Sequence, residues 1–165
     1  MNSRKQTLLH RLRTERMNLL QILSELSDIE KESVLVTAKW TIHDILAHLA
    51  GWVIWDLKAT REAIKSGQVD ISAITNVDLF NAQSVSKRSN LTSQQIVDEM
   101  EKAQAEWIEL LNTLSDEELF SLTRFRSPEW ETLAKWVQIA LEHEAEHAKA
   151  IQVWFENRSV RSENE

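Results

Sequence analysis

Two glycines and one proline in 165 residues constrain the fold of this chain more than any other feature. Tight hairpin turns and phosphate-cradling loops need positive φ, which glycine supplies without strain. A mostly β fold, a dinucleotide-binding βαβ unit and a P-loop are therefore excluded, and an all-α protein is expected. The length is that of one ordinary domain, large enough to bury a core without staples. No linker, internal repeat or low-complexity stretch divides it, so a single domain over residues 1–165 is expected.

Cysteine is absent, which excludes disulfides, thiolate metal sites, iron–sulfur clusters and a cysteine nucleophile. Acidic residues outnumber basic ones, 26 to 19, for a net charge of −7. Phosphate binding needs clustered Lys and Arg, so nucleic acid is not expected as a partner. The basic stretch Arg4, Lys5, Arg11, Arg13 and Arg16 is threaded by Leu8, Leu9, Leu12 and Leu19 at helical spacing, and reads as the solvated face of a first helix. No apolar run approaches the ~20 residues of a membrane span, and no signal-peptide core is present. A cytoplasmic protein with no membrane partner is the expectation.

Four long helices are predicted. The first covers about residues 3–27, and a connection through Asp28–Trp40 follows, with Val34, Leu35 and Val36 tucked in extended form against the bundle. Thr41 with Asp44 three residues on starts the second helix, which Gly67 ends. About 25 residues separate it from the third helix, with a short amphipathic piece around Thr75–Lys87 between them. Thr92 and Gln95 open the third helix, which runs to about Thr113. Ser115–Glu118 opens a short one, and after a loop around Ser127 and Pro128 the fourth long helix spans about Thr132–Asn157. The tail Arg158–Glu165 is expected to fray. A crossover of that length returns the chain to its starting end, so the second and third helices run parallel and the topology is up-down-down-up.

Histidine then marks a site. On the fourth helix Trp136, Ala140, His143, His147, Ile151 and Trp154 follow each other at steps of three and four, and on the second helix Ile45, His48, Trp52 and Trp55 do the same. Polar rings on apolar stripes need partners. Histidines at i and i+4 project together and can hold one metal ion, with His48 completing a facial set. His48 lies ~10 Å from the start of its helix and His147 ~15 Å from the expected end of its own, levels that agree for antiparallel helices. His10 sits among Arg and Leu on the first helix, and His43 points to another face of the second.

His143-Glu144-Ala145-Glu146-His147 also matches H-E-x-x-H, the zinc peptidase signature. No histidine follows it, and the composition hardly allows the sheet edge that holds a peptide substrate, so peptidase activity is the weaker reading.

The segment from Trp40 to Trp52, with a last helix carrying His143 and His147, resembles the DinB/YfiT-like superfamily of metal-binding four-helix bundles. The region around Val77–Gln83 and Leu114–Leu119 is similar to its ClbS/DfsB-like subgroup. The resemblance implies His48, His143 and His147 as ligands of a divalent metal, Zn²⁺ or Ni²⁺. It also implies thiol transfer to, or hydrolysis of, a small electrophilic molecule, and commonly a homodimer. With no cysteine in the chain, a thiol nucleophile has to come from a low-molecular-weight cosubstrate. Glu144 and Asp56 are the candidate catalytic carboxylates, and Trp52, Trp55 and Trp136, with Trp154, the candidate pocket walls. Trp107 and Trp130 have no assigned place. The alternatives are a sequestering protein that binds a toxic small molecule without turnover, and an interaction protein whose metal is structural only.

Overall fold

A computed structural model of the chain describes residues 3–67, 72–121 and 132–162. Among these, eight helices occur and no strand: α1 (Arg4–Ser24), α2 (Asp28–Ser33), α3 (Ile42–Ser66), α4 (Ser72–Thr75), α5 (Val77–Arg88), α6 (Ser93–Asn112), α7 (Asp116–Phe120) and α8 (Leu133–Ser162). Start signals in the sequence become reciprocal caps. Thr41 with Asp44, Thr92 with Gln95 and Ser115 with Glu118 each exchange side-chain and backbone hydrogen bonds, which satisfies donors that an open helix end would leave bare. Gly67 ends α3 at φ 70°, a left-handed conformation that glycine adopts without a Cβ penalty.

Cross-helix hydrogen bonds set the directions. His43 near the start of α3 meets Leu91 just before α6, while Thr60 and Arg61 near its end meet Trp107 and Glu106, so α3 and α6 run parallel. Asp56 pairs with Trp136 and His48 with His143, which makes α8 antiparallel to α3. Arg11 meets Gln138 and Arg16 meets Glu144, which makes α1 parallel to α8. The arrangement is the expected up-down-down-up bundle. Its core is built from the apolar stripes of the long helices, with Leu9, Leu19, Ile45, Ile96, Leu111 and Leu141 fully buried.

Three expectations change. The connection after α1 holds a helix, α2, capped by Ser27 and Glu30 in a capping box of its own. Leu35 in that connection is exposed rather than tucked in, and Val36 alone of its group packs on the core. The polar tail does not fray at Arg158, because α8 continues to Ser162. Arg158 donates from Nη1 to Glu30 Oε1 at 2.8 Å and lies over the ring of Phe155, which ties the end of α8 to α2. The loop around Ser127 and Pro128, and Trp130, lie outside the described residues.

Candidate metal centre

Helical spacing brings the three predicted histidines together. His143 and His147, four residues apart on α8, face His48 on α3, and His48 Nε2 lies 2.9 Å from His143 Nε2. His147 Nε2 lies 3.1 Å from the same atom, and the three ligand atoms fall within 4.8 Å of one another. One ring nitrogen has either one hydrogen or one lone pair, so His143 Nε2 cannot make two full hydrogen bonds. A cation between the rings would accept all three lone pairs at once. Two nitrogens about 2.0–2.1 Å from one Zn²⁺ stand about 3 Å apart or slightly more, and the spacings of His143 to His48 and to His147 fit such an ion.

Electrostatics prepares the same state. Burial, then the neighbouring imidazoles, lowers the pKa of His48 to about 3. Burial and His143 lower that of His147 to about 4, and burial lowers that of His143. All three rings are therefore neutral at neutral pH, the protonation state a ligand needs. Trp40, before α3, packs against His48 in a tilted contact with ring centroids 4.7 Å apart and sits 6.2 Å from His147. On the far side of His48, Nδ1 lies 3.0 Å from Asn81 Oδ1 on α5.

His48 and His143 line a cavity of about 430 Å³ between α3, α8 and the crossover. Trp52, Trp55 and Trp136 line it, and so do Ile74 and Val77 from the crossover. Trp154 is not part of that lining. Asp56 is in the wall, 5% exposed, accepting from Trp136 Nε1 at 2.7 Å. Burial, opposed by that hydrogen bond and assisted by the charge of Glu144, raises its pKa to about 7. Glu144 turns the other way. Its two oxygens accept from Arg16 Nε and Nη2 of α1 at 2.6 and 2.8 Å, a buried bidentate pair outside the lining of the tryptophan-walled cavity. A second hollow opens on the other side of the cluster, lined by Trp40, Lys39, Asp78, Asn81 and His147.

The remaining histidines lie elsewhere. His10 is exposed, and His43 is buried with Nε2 2.8 Å from the Leu91 carbonyl. Trp107 is a core residue whose indole donates to Thr60 Oγ1 at 2.8 Å. Sequence reasoning missed Trp40 and Asn81 as parts of the site. Trp40 stands before the helix begins, outside any helical stripe, and Asn81 belongs to a crossover whose docking no periodicity reveals.

Comparisons with known proteins match the family and the fold. A sequence profile of the DinB superfamily, whose members are generally metal-binding, covers residues 11–151. No curated protein sequence matches significantly. The solved structure of DfsB, described as a sibling lethal factor precursor, has a TM-score of 0.81 at 15% identity over 96% of this chain and 98% of its own. An uncharacterised protein from Escherichia coli UTI89 has a TM-score of 0.81 at 17% identity over 94% of each chain. The colibactin self-resistance protein ClbS, solved in complex with double-stranded DNA, has a TM-score of 0.76 at 11% identity over 90% of this chain and 93% of its own. At such identities the likeness is one of fold.

ClbS corrects one expectation. Net charge excludes nucleic acid in the sequence reading, yet a protein of this fold is held on duplex DNA, and that exclusion falls. The physical reason is that net charge sums the whole surface, whereas phosphate contact depends on the charges of one face. Among the described residues, no helix is long and apolar enough to cross a membrane.

Proposed function

The chain belongs to the DinB superfamily, and from that premise we propose a small metal-dependent enzyme, built as one domain, that transfers a thiol to, or hydrolyses, a small electrophilic molecule. The observation that carries this reading is the convergence of three neutral imidazoles, two of which, His48 and His143, line a tryptophan-walled cavity. His48, His143 and His147 would hold the divalent ion, Zn²⁺ or Ni²⁺. Bound there, it would supply Lewis acidity that makes water or a thiol a nucleophile at neutral pH.

The chain's own groups do the rest. Trp52, Trp55 and Trp136 offer apolar ring faces to a planar or hydrophobic substrate and exclude water around it. Asp56, with its pKa raised to about 7, is the carboxylate suited to take and return a proton in this cavity. Glu144 holds Arg16 and so fixes the turn of α8 between the two ligands. A thiol reactant comes from solution, because the protein has no cysteine.

A second reading, sequestration of a toxic molecule without turnover, draws support from the self-resistance role in the name of ClbS. One set of measurements separates the two. Untagged protein should carry about one divalent ion per chain and melt at higher temperature with added Zn²⁺ or Ni²⁺, and His147→Ala should lose both properties. Failure of wild type on both counts sinks the metal reading. With an electrophilic probe such as monochlorobimane, and bacillithiol or glutathione supplied, an enzyme returns the conjugate or the hydrolysed product. A sequestering protein is protected against melting and returns the probe unaltered.

A further inference from the structure

The ligating histidines belong to the long helices, but the group that orients one of them belongs to the crossover. Asn81 on α5 presents Oδ1 to two neighbours: Trp52 Nε1 donates to it at 2.9 Å, and His48 Nδ1 lies 3.0 Å away. An indole N–H can only donate, so the atom facing Trp52 has to be the amide oxygen rather than the amide nitrogen. That oxygen can only accept, so the hydrogen of the second contact has to sit on His48 Nδ1. A neutral imidazole carries one N–H. Its Nε2 is therefore left with a lone pair, directed at the space it shares with His143 and His147.

We propose that Asn81 is a positioning residue that locks His48 in the Nδ1–H tautomer and so reserves Nε2 for a cation. The crossover helix is thereby a working part of the centre. This rests on the metal reading above and adds a residue to it that ligates nothing. The opposite tautomer would aim a hydrogen at the place of the ion and leave Nδ1 without one to donate to Asn81, with His48 only 3% exposed to water.

The same seam shows why Asn81 can reach. A Cβ placed on Gly51 would lie 2.2 Å from Ser84 Oγ and 2.6 Å from Ser84 Cβ, far inside van der Waals contact. Ser84 is buried three residues after Asn81, and Gly51 stands three residues after His48, so the two contacts lie side by side between α3 and α5. The missing side chain lets α5 settle close enough for Asn81 to touch His48 and Trp52. One of the chain's two glycines ends α3 and the other seats α5 against it.

The tautomer is read directly by long-range ¹H–¹⁵N correlation spectra of metal-free protein labelled at histidine. His48 should show a protonated Nδ1 and an unprotonated Nε2, and an Nε2–H signature overturns the proposal. Calorimetric titration with Zn²⁺ supplies the second arm. Asn81→Leu should weaken binding ~10–100-fold, whereas Asn81→Asp, which keeps an accepting oxygen, should stay within several-fold of wild type. Gly51→Ala, which touches no ligand, should weaken binding as Asn81→Leu does. Unchanged affinity in Asn81→Leu, or equal losses in the Leu and Asp variants, overturns the assignment. Circular dichroism of each metal-free variant checks that the helices persist, and Asn81→Asp with the wild-type spectrum keeps the test open if Asn81→Leu does not fold. Failure of wild type to take up Zn²⁺ sinks the metal reading itself, and is distinguished because the tautomer is measured without metal.

Discussion

Asp56 is a single residue that carries a large electrostatic burden in the site. It is buried, accepts one indole hydrogen bond, and has a pKa raised from 3.8 to about 7. In the unfolded chain it ionises near its ordinary value, so between about pH 4 and 7 the folded state holds more protons, and stability falls as pH rises through that window. Above it the buried charge costs about 4 kcal/mol at 1.36 kcal/mol per unit. Asp56→Asn keeps an oxygen for Trp136 and never ionises. Its melting temperature should exceed that of wild type by a margin that grows from pH 4.5 to pH 8, and chemical denaturation at the two pH values checks it. A constant margin would mean that Asp56 is solvated in the native protein. Its place on the same face of α3 as His48, two turns on, was legible in the sequence. Its raised pKa was not, because that depends on what α8 and the crossover lay over it.

At the scale of elements, α1 and α8 are joined by one buried ion pair. Arg16 and Glu144 are 3% and 7% exposed, both carboxylate oxygens are engaged, and Arg16 Nη1 is buried without a hydrogen-bond partner. Removing one partner strands a charge, whereas replacing both with apolar groups removes two desolvation penalties together. Arg16→Met alone should destabilise by about 3–5 kcal/mol, and Arg16→Met with Glu144→Leu should recover most of that loss. Urea denaturation of the single and double variants measures it, and additive losses would show that the pair acts through packing alone. The sequence placed Arg16 in a basic, solvated face and Glu144 beside two ligands; neither local pattern reveals that the two meet across 128 positions. Caps behave differently. Thr41 with Asp44 or Thr92 with Gln95 is a local interaction, written wholly within four residues, and so it was readable. Ser27 with Glu30 is written in the same way, but the helix it opens has six residues and no apolar stripe to announce it.

For the whole molecule, the three histidines span a seam. The bundle consists of two parallel pairs, α1 with α8 and α3 with α6, set antiparallel to each other. His48 belongs to one pair, and His143 and His147 to the other. The length of the crossover made this orientation legible, and the periodic stripes made the histidine cluster legible. The axial match was estimated from a helix ending near Asn157, yet α8 runs to Ser162. The pairing holds because the added turns pass beyond the start of α3 and dock on α2 through Arg158 and Glu30. An ion held by all three rings would thus cross-link the two halves. Because it binds the folded state alone, Zn²⁺ at a thousand times its dissociation constant should add about 4.1 kcal/mol of stability, or roughly 8–16 °C in melting temperature for a chain of this size. The distribution of that stabilisation is the sharper test. Amide exchange should slow on both α3 and α8 around the histidines, since the opening that frees one half has to release the ion from the other. His48→Ala should abolish the protection on α3 and leave only what a two-histidine site on α8 can supply. Protection confined to α8 in wild type would show that His143 and His147 hold the ion without His48, and that the two halves are not joined through it.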